Sequence, residues 1–176
     1  PGHLDYPLLI PFTQAYIYFF LGQVHDSFAK LFSSFYYFGL IALFYYHLKK
    51  QFKINFVLVS CFCLATIPNL LMISSTGYME IVLNFYVTSG IFYIYRFILE
   101  KDNSFLLLGS LFIGIGTFTK NEGLSLWLAL FLSCILISLL FKLKVDKKRL
   151  LLSVLFIPLL IYSPWFIFKH ILGLKA

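Results

Sequence analysis

The chain has 176 residues, 61% of them hydrophobic and 12% charged, with 14 Lys and Arg against 7 Asp and Glu for a net charge of +7. That much apolar surface, at a mean hydropathy of +0.91, exceeds what a soluble core can hide and excludes an ordinary water-soluble domain. The basic excess reads as membrane-loop charge, not as a nucleic-acid face, so nucleic acid is not an expected partner.

The opening residues Pro1-Gly2-His3-Leu4-Asp5 read as the middle of a loop, without an initiator Met or a cleavable leader, and the chain is expected to be a fragment of a longer protein. Pro7 to Gly22 is marginal in length and crowded at its start by Pro7, Pro11, Thr13 and Gln14. It is either a short span or a helix in the interface, where Tyr6, Tyr16 and Tyr18 keep their hydroxyls wet. A spanning helix needs about 20 mostly apolar residues, because the hydrocarbon core is ~30 Å thick and a helix rises ~1.5 Å per residue.

Six segments meet or approach that length: 28–48, 54–74, 79–99, 104–119, 122–142 and 150–170. The fourth is short, and it and the fifth read as two helices joined by a tight turn at Asn121-Glu122-Gly123, with Gly123 easing the reversal. Open sheet cannot satisfy its backbone in lipid, so the expected fold is an all-α polytopic transmembrane helix bundle of about six spans, residues 1–176 forming a single transmembrane domain. Cys61, Cys63 and Cys134 lie in apolar runs and read as small buried hydrophobes.

With six spans, Lys49, Lys50, Lys53, Arg96, Lys101, Lys142, Lys144, Lys147, Lys148 and Arg149 fall at one set of helix ends, and Lys30, Lys120, Lys169 and Lys175 at the other. The richer set is expected in the cytoplasm. Acids at a membrane are costly and informative. Glu100, Asp102 and Asp146 lie among the basic residues and read as solvated loop charges. Asp5, Asp26, Glu80 and Glu122 map to the opposite face. Asp26 before Ser27 is a natural N-cap. Glu80 opens a span with no Lys or Arg close in sequence; it is either a carboxylate reaching headgroup water, favoured by the helix dipole, or a functional group. Lys120 and Glu122 form either a polar turn or, on the cation-poor face, a place for an anionic substrate group. His3 and Asp5 make an H-x-D pair that would suit a divalent metal, although two ligands are a thin set and a plain polar loop reads equally well. His25, His47 and His170 read as interfacial.

Asp5-Tyr6-Pro7-Leu8-Leu9, then Asp26-Ser27-Phe28-Ala29-Lys30-Leu31-Phe32, Gly77-Tyr78-Met79-Glu80, Gly114-Ile115-Gly116-Thr117-Phe118-Thr119-Lys120-Asn121-Glu122-Gly123 and Ser163-Pro164-Trp165 resemble, in order, the protein-mannosyltransferase-like branch of the GT-C membrane glycosyltransferases. The resemblance places Pro7 to Gly22 as an N-terminal juxtamembrane helix. It implies that Asp5 matches an acid near the reaction centre, although a single Pro follows where two are common. It also implies that a further acidic motif lies upstream of Pro1, so that this fragment lacks a complete active site and could be inactive alone.

What the resemblance implies is an enzyme transferring a hexose or pentose from a polyprenyl-phosphate-linked donor to a glycan, lipid or protein acceptor at the extracytoplasmic face. Its setting would be a multi-pass bacterial inner-membrane protein, with membrane lipids as further partners and a divalent metal ion allowed as cofactor. Asp5, Glu80 and Lys120 form the expected catalytic set: Asp5 for metal or acceptor positioning, Lys120 for the phosphate, Glu80 in the cavity wall. Tyr6, Lys120 and Glu122 are the substrate-binding set, and Asp5 with His3 the metal pair. The alternative is a transporter or flippase for an anionic or lipid-linked substrate, whose polar groups would sit near the midplane in repeated halves; no repeat is evident. A structural membrane subunit would leave the outer-face acids unexplained beyond headgroup contacts.

Overall fold

The computed structural model describes residues 6–141 and 145–173. Among them are eight helices: α1 (Leu9–Leu21), α2 (Asp26–Leu48), α3 (Ile54–Ala65), α4 (Pro68–Thr76), α5 (Met79–Glu100), α6 (Asn103–Thr117), α7 (Asn121–Leu140) and α8 (Lys147–Ile171). The protein is an all-helical, polytopic membrane protein. Helices α2, α5, α7 and α8 are long and apolar enough to cross a membrane, and α3 with α4 makes a fifth candidate if the bent pair is one span. Every expected segment is helical, but two depart from a simple crossing.

The segment expected over 54–74 is broken: α3 and α4 meet at 58°. Pro68 supplies no N–H and disfavours helical backbone at Ile67, which ends α3 before it and lets α4 restart with proline in its first turn. The carbonyls freed at the break find new donors. Tyr37 Oη donates to Ala65 O at 2.6 Å, and Thr66 Oγ1 to Cys63 O at 3.2 Å. Helix α6 has 15 residues, or about 22 Å, short of a full crossing.

The chain divides into two compact units, one of Ile10–Phe85 and the other of Tyr86 onward with the residues before Ile10. In the Ile10–Phe85 unit α2 runs antiparallel to α3 and α4. Ser33 Oγ reaches Ser74 O at 2.9 Å, Ser34 Oγ reaches the same carbonyl at 3.3 Å, and a Cβ on Gly77 would lie 3.1 Å from Lys30 Cγ. Gly77 closes α4 at φ +81°, a left-handed conformation that glycine alone adopts cheaply. Asp26, Lys30 and Gly77 thus share one end of this unit, and Lys49 to Lys53 occupy the other. Asp26 is not the N-cap expected of it. It is the first residue of α2, His25 being the cap without a side-chain bond, and its Oδ1 accepts from Tyr18 Oη at 3.0 Å. That bond, before desolvation and the carboxylate's charge, pushes the Tyr18 phenol above its ordinary pKa.

In the other unit Ile94, Phe97, Leu106, Ile113, Cys134, Leu150 and Val154 form the core. α6 lies antiparallel to α5: a Cβ on Gly109 would sit 2.8 Å from Ile94 Cγ1 and 3.1 Å from Gly90 O, and Arg96 stacks 3.8 Å over the Phe105 ring. α7 returns antiparallel to both α6 and α8. Trp127 Nε1 donates to Val154 O at 2.8 Å, and Lys147 Nζ caps α7 by donating to Ser138 O and Phe141 O. In α8, Pro164 cannot bond back to Leu160 O, and Ser163 Oγ takes that acceptor at 2.9 Å.

The three acids expected as solvated loop charges are exposed and also have local partners. Glu100 takes two hydrogen bonds from Arg96, at 2.6 and 2.9 Å, while Asp102 and Asp146 cap α6 and α8 through Ser104 N and Arg149 N. Of the cysteines, Cys61 and Cys134 are buried as expected, but Cys63 is exposed on α3.

A candidate active site at the turn between α6 and α7

Helix α6 ends because its last carbonyls are taken locally. Thr117 Oγ1 donates to Gly114 O at 2.7 Å and Thr119 Oγ1 to Ile115 O at 2.9 Å, while Phe118 N bonds to Gly114 O and Ile115 O. Both threonines are fully buried. The turn is Phe118 to Lys120, not Asn121 to Gly123 as expected. Lys120 is the extended N-cap of α7 (φ −157°, ψ 153°), and Gly123 N closes the first turn on Lys120 O at 2.9 Å. Gly123 serves close approach and not reversal: a Cβ there would strike Gly116 O and lie 3.0 Å from Thr117 Cα.

This turn fixes a charged cluster. Lys120 Nζ lies 2.9 Å from Glu122 Oε1, the lysine side chain 14% exposed and the carboxylate 53%. The same ammonium stands 5.6 Å from the centroid of the Tyr6 ring, within cation–π range. Glu122, in the first turn of α7, is placed well for that helix's positive end; Lys120 is placed badly for it and needs an anion nearby. Three of the expected substrate-binding residues, Tyr6, Lys120 and Glu122, therefore come together although Tyr6 is remote in sequence.

The antiparallel helices set the cluster at one end of this unit. Arg96, Lys101, Lys147, Lys148 and Arg149 lie at the other. In the same unit an open apolar groove of about 410 Å³ lies between α5 and α7, lined by Val87, Ile91 and Ile94 of α5 and by Leu126, Leu130 and Cys134 of α7. Leu126, where the α7 lining begins, is one helical turn beyond Glu122.

Glu80 belongs to the Ile10–Phe85 unit. It is half-buried in the first turn of α5, three residues after Gly77, at the end that carries Asp26 and Lys30. Asp5 and His3 lie outside the described residues. Among the described residues no group of three His, Cys, Asp or Glu could hold a metal ion.

The groove was missed by sequence reasoning, because apolar positions on α5 and α7 carry the same residue types whether they face lipid, a neighbour or a ligand. No curated protein and no solved structure matches the chain. A family model described as dolichyl-phosphate-mannose-protein mannosyltransferase matches residues 5–168.

Proposed function

The chain belongs to the dolichyl-phosphate-mannose-protein mannosyltransferase family, a family of membrane glycosyltransferases, and from that premise we propose that the end of the bundle bearing Lys120 faces the extracytoplasmic side and binds a polyprenyl-phosphate-linked sugar. The observation that carries this reading is the Tyr6–Lys120–Glu122 cluster, in a unit that also holds an apolar groove whose α7 lining begins at Leu126, one helical turn past Glu122. A polyprenyl phosphate has the same two parts, an anionic head and a long apolar tail.

In the proposed reaction an acceptor hydroxyl attacks the anomeric carbon, the bond from that carbon to the phosphate oxygen breaks, and the acceptor's proton passes to a carboxylate. Polyprenyl phosphate leaves with the bonding electrons. Lys120 offsets the charge that grows on the phosphate, and its part-buried position makes that charge count for more than it would in water. Glu122 holds the ammonium in place before the donor arrives. Asp5, next to Tyr6 in sequence, positions the acceptor or, with His3, holds a divalent cation that would supply further positive charge at the phosphate.

The test is sugar transfer by the full-length protein in membranes, with polyprenyl-phosphate-sugar as donor. Lys120→Ala should lower kcat by about a hundredfold, in line with removing one charge-stabilising group, and Asp5→Asn should also lower transfer, both at unchanged membrane levels. Wild-type rates in both variants would refute the assignments. Transfer indifferent to EDTA would remove the cation from the scheme.

A further inference from the structure

We propose that the turn between α2 and α3 is a binding site for an anionic phospholipid headgroup. Lys49, Lys50 and Lys53 stand together there, all exposed, at the end of the Ile10–Phe85 unit. Three other basic residues are occupied: Arg96 by Glu100, Lys120 by Glu122, and Lys147 by the last carbonyls of α7. Among the described residues no carboxylate pairs with this trio. The sequence holds no Asp or Glu between Asp26 and Glu80, and both of those acids belong to the opposite end of the unit.

The aromatic residues beside the trio arrange it. Lys49 Nζ stands 5.1 Å from the Tyr45 ring centroid and 5.6 Å from that of Tyr46, and Lys50 Nζ stands 4.8 Å from Tyr46. Cation–π contacts orient an ammonium without using up its N–H donors, so both lysines keep hydrogens for a phosphate. The turn itself is held by Lys49 N bonding to Tyr45 O and by Gln51 N and Phe52 N bonding to Leu48 O. Three cations are thereby kept within five residues of one another at a membrane edge, the composition that attracts acidic lipids.

A soluble anion would need only the lysines. The surface that continues from them is apolar: Phe52 of the turn and Phe56 and Val59 of α3 are 47%, 54% and 61% exposed, and the Phe52 and Phe56 rings lie 5.0 Å apart. Headgroup phosphate at the lysines and acyl chain along this stripe would occupy both features, which selects a lipid over free phosphate.

Native mass spectrometry and thermal unfolding of the delipidated full-length protein test this, with phosphatidylglycerol, phosphatidylcholine and inorganic phosphate as probes. Phosphatidylglycerol should remain bound and raise the Tm, with affinity falling on the order of a hundredfold in the Lys49→Gln, Lys50→Gln, Lys53→Gln triple variant and returning in the matching triple Arg variant. Should the triple Gln variant fail to insert, single Lys49→Gln and Lys50→Gln variants should each show about a fivefold loss. Equal retention of phosphatidylcholine, or unchanged phosphatidylglycerol binding in the Gln variants, overturns the proposal. Inorganic phosphate that displaces phosphatidylglycerol at matched concentration would make the site one for a free anion, which also overturns it.

Discussion

Lys120 and Glu122 sit two residues apart across a helix start, and their opposite exposures give them different work. An ion pair with one partner more than half exposed contributes at most about 1 kcal/mol to stability, since water screens it and two long side chains must be ordered. Glu122→Gln is therefore expected to leave the thermal unfolding temperature in place. If Glu122 competes with donor phosphate for Lys120, the same substitution should lower the donor KM by up to about fivefold with kcat little changed. A loss of kcat on the order of a hundredfold would instead make Glu122 a proton acceptor in the reaction. Lys120→Arg keeps the charge but widens the head group in a part-buried place, so partial activity separates charge from fit.

Elements meet here through glycine and through hydroxyls that repair interrupted helices. Gly109 lets α5 and α6 cross closely, and Gly123 does the same for α7 against the end of α6. Gly123→Leu should destabilise the fold by about 1–3 kcal/mol, as overpacking does, whereas Ser125→Leu on the exposed side of α7 should change little; unfolding in detergent compares them. The bend between α3 and α4 depends on Tyr37, whose hydroxyl holds the Ala65 carbonyl. Tyr37→Phe would leave that acceptor unpaired, at a cost of about 1–3 kcal/mol, and unfolding at wild-type temperature would show the bond to be dispensable. The groove between α5 and α7 has its own test. Ala129→Trp, which fills it, should raise the KM of a long-chain donor and leave that of a short-chain analogue unchanged; equal effects on both would deny the groove the donor's tail.

At the scale of the whole molecule, charge is sorted by helix direction within each unit. α7 runs from the Lys120 turn to the Lys147 turn, so Asn121→Cys and Lys148→Cys should be labelled by a membrane-impermeant thiol reagent from opposite sides, after the native cysteines are replaced. In the other unit Thr76→Cys and Lys50→Cys should likewise label from opposite sides. Labelling of either pair from one side would break the corresponding crossing. The excess of basic residues at the Lys148 and Lys50 ends predicts that those ends are cytoplasmic.

Composition alone determined that the chain lives in lipid, because no soluble core holds this proportion of apolar residues, and lipid in turn dictated helices, because nothing else satisfies an isolated backbone there. The ordered short motifs, from Asp5-Tyr6-Pro7 to Ser163-Pro164-Trp165, were enough to indicate the family, and the sign and position of Lys120 marked it out on a face poor in cations. The sequence held Pro68 in plain view, yet a single proline in an apolar run is compatible with either a kinked span or a broken one. The structure has the break, with Tyr37 and Thr66 serving the freed carbonyls of Ala65 and Cys63. That Tyr6 lies beside Lys120, that Gly123 serves packing and not turning, and that an apolar groove lies between α5 and α7 were settled only in three dimensions. Each depends on which faces of separate helices meet, and in a chain apolar on nearly every face, hydrophobic periodicity no longer tells lipid-facing positions from packed ones.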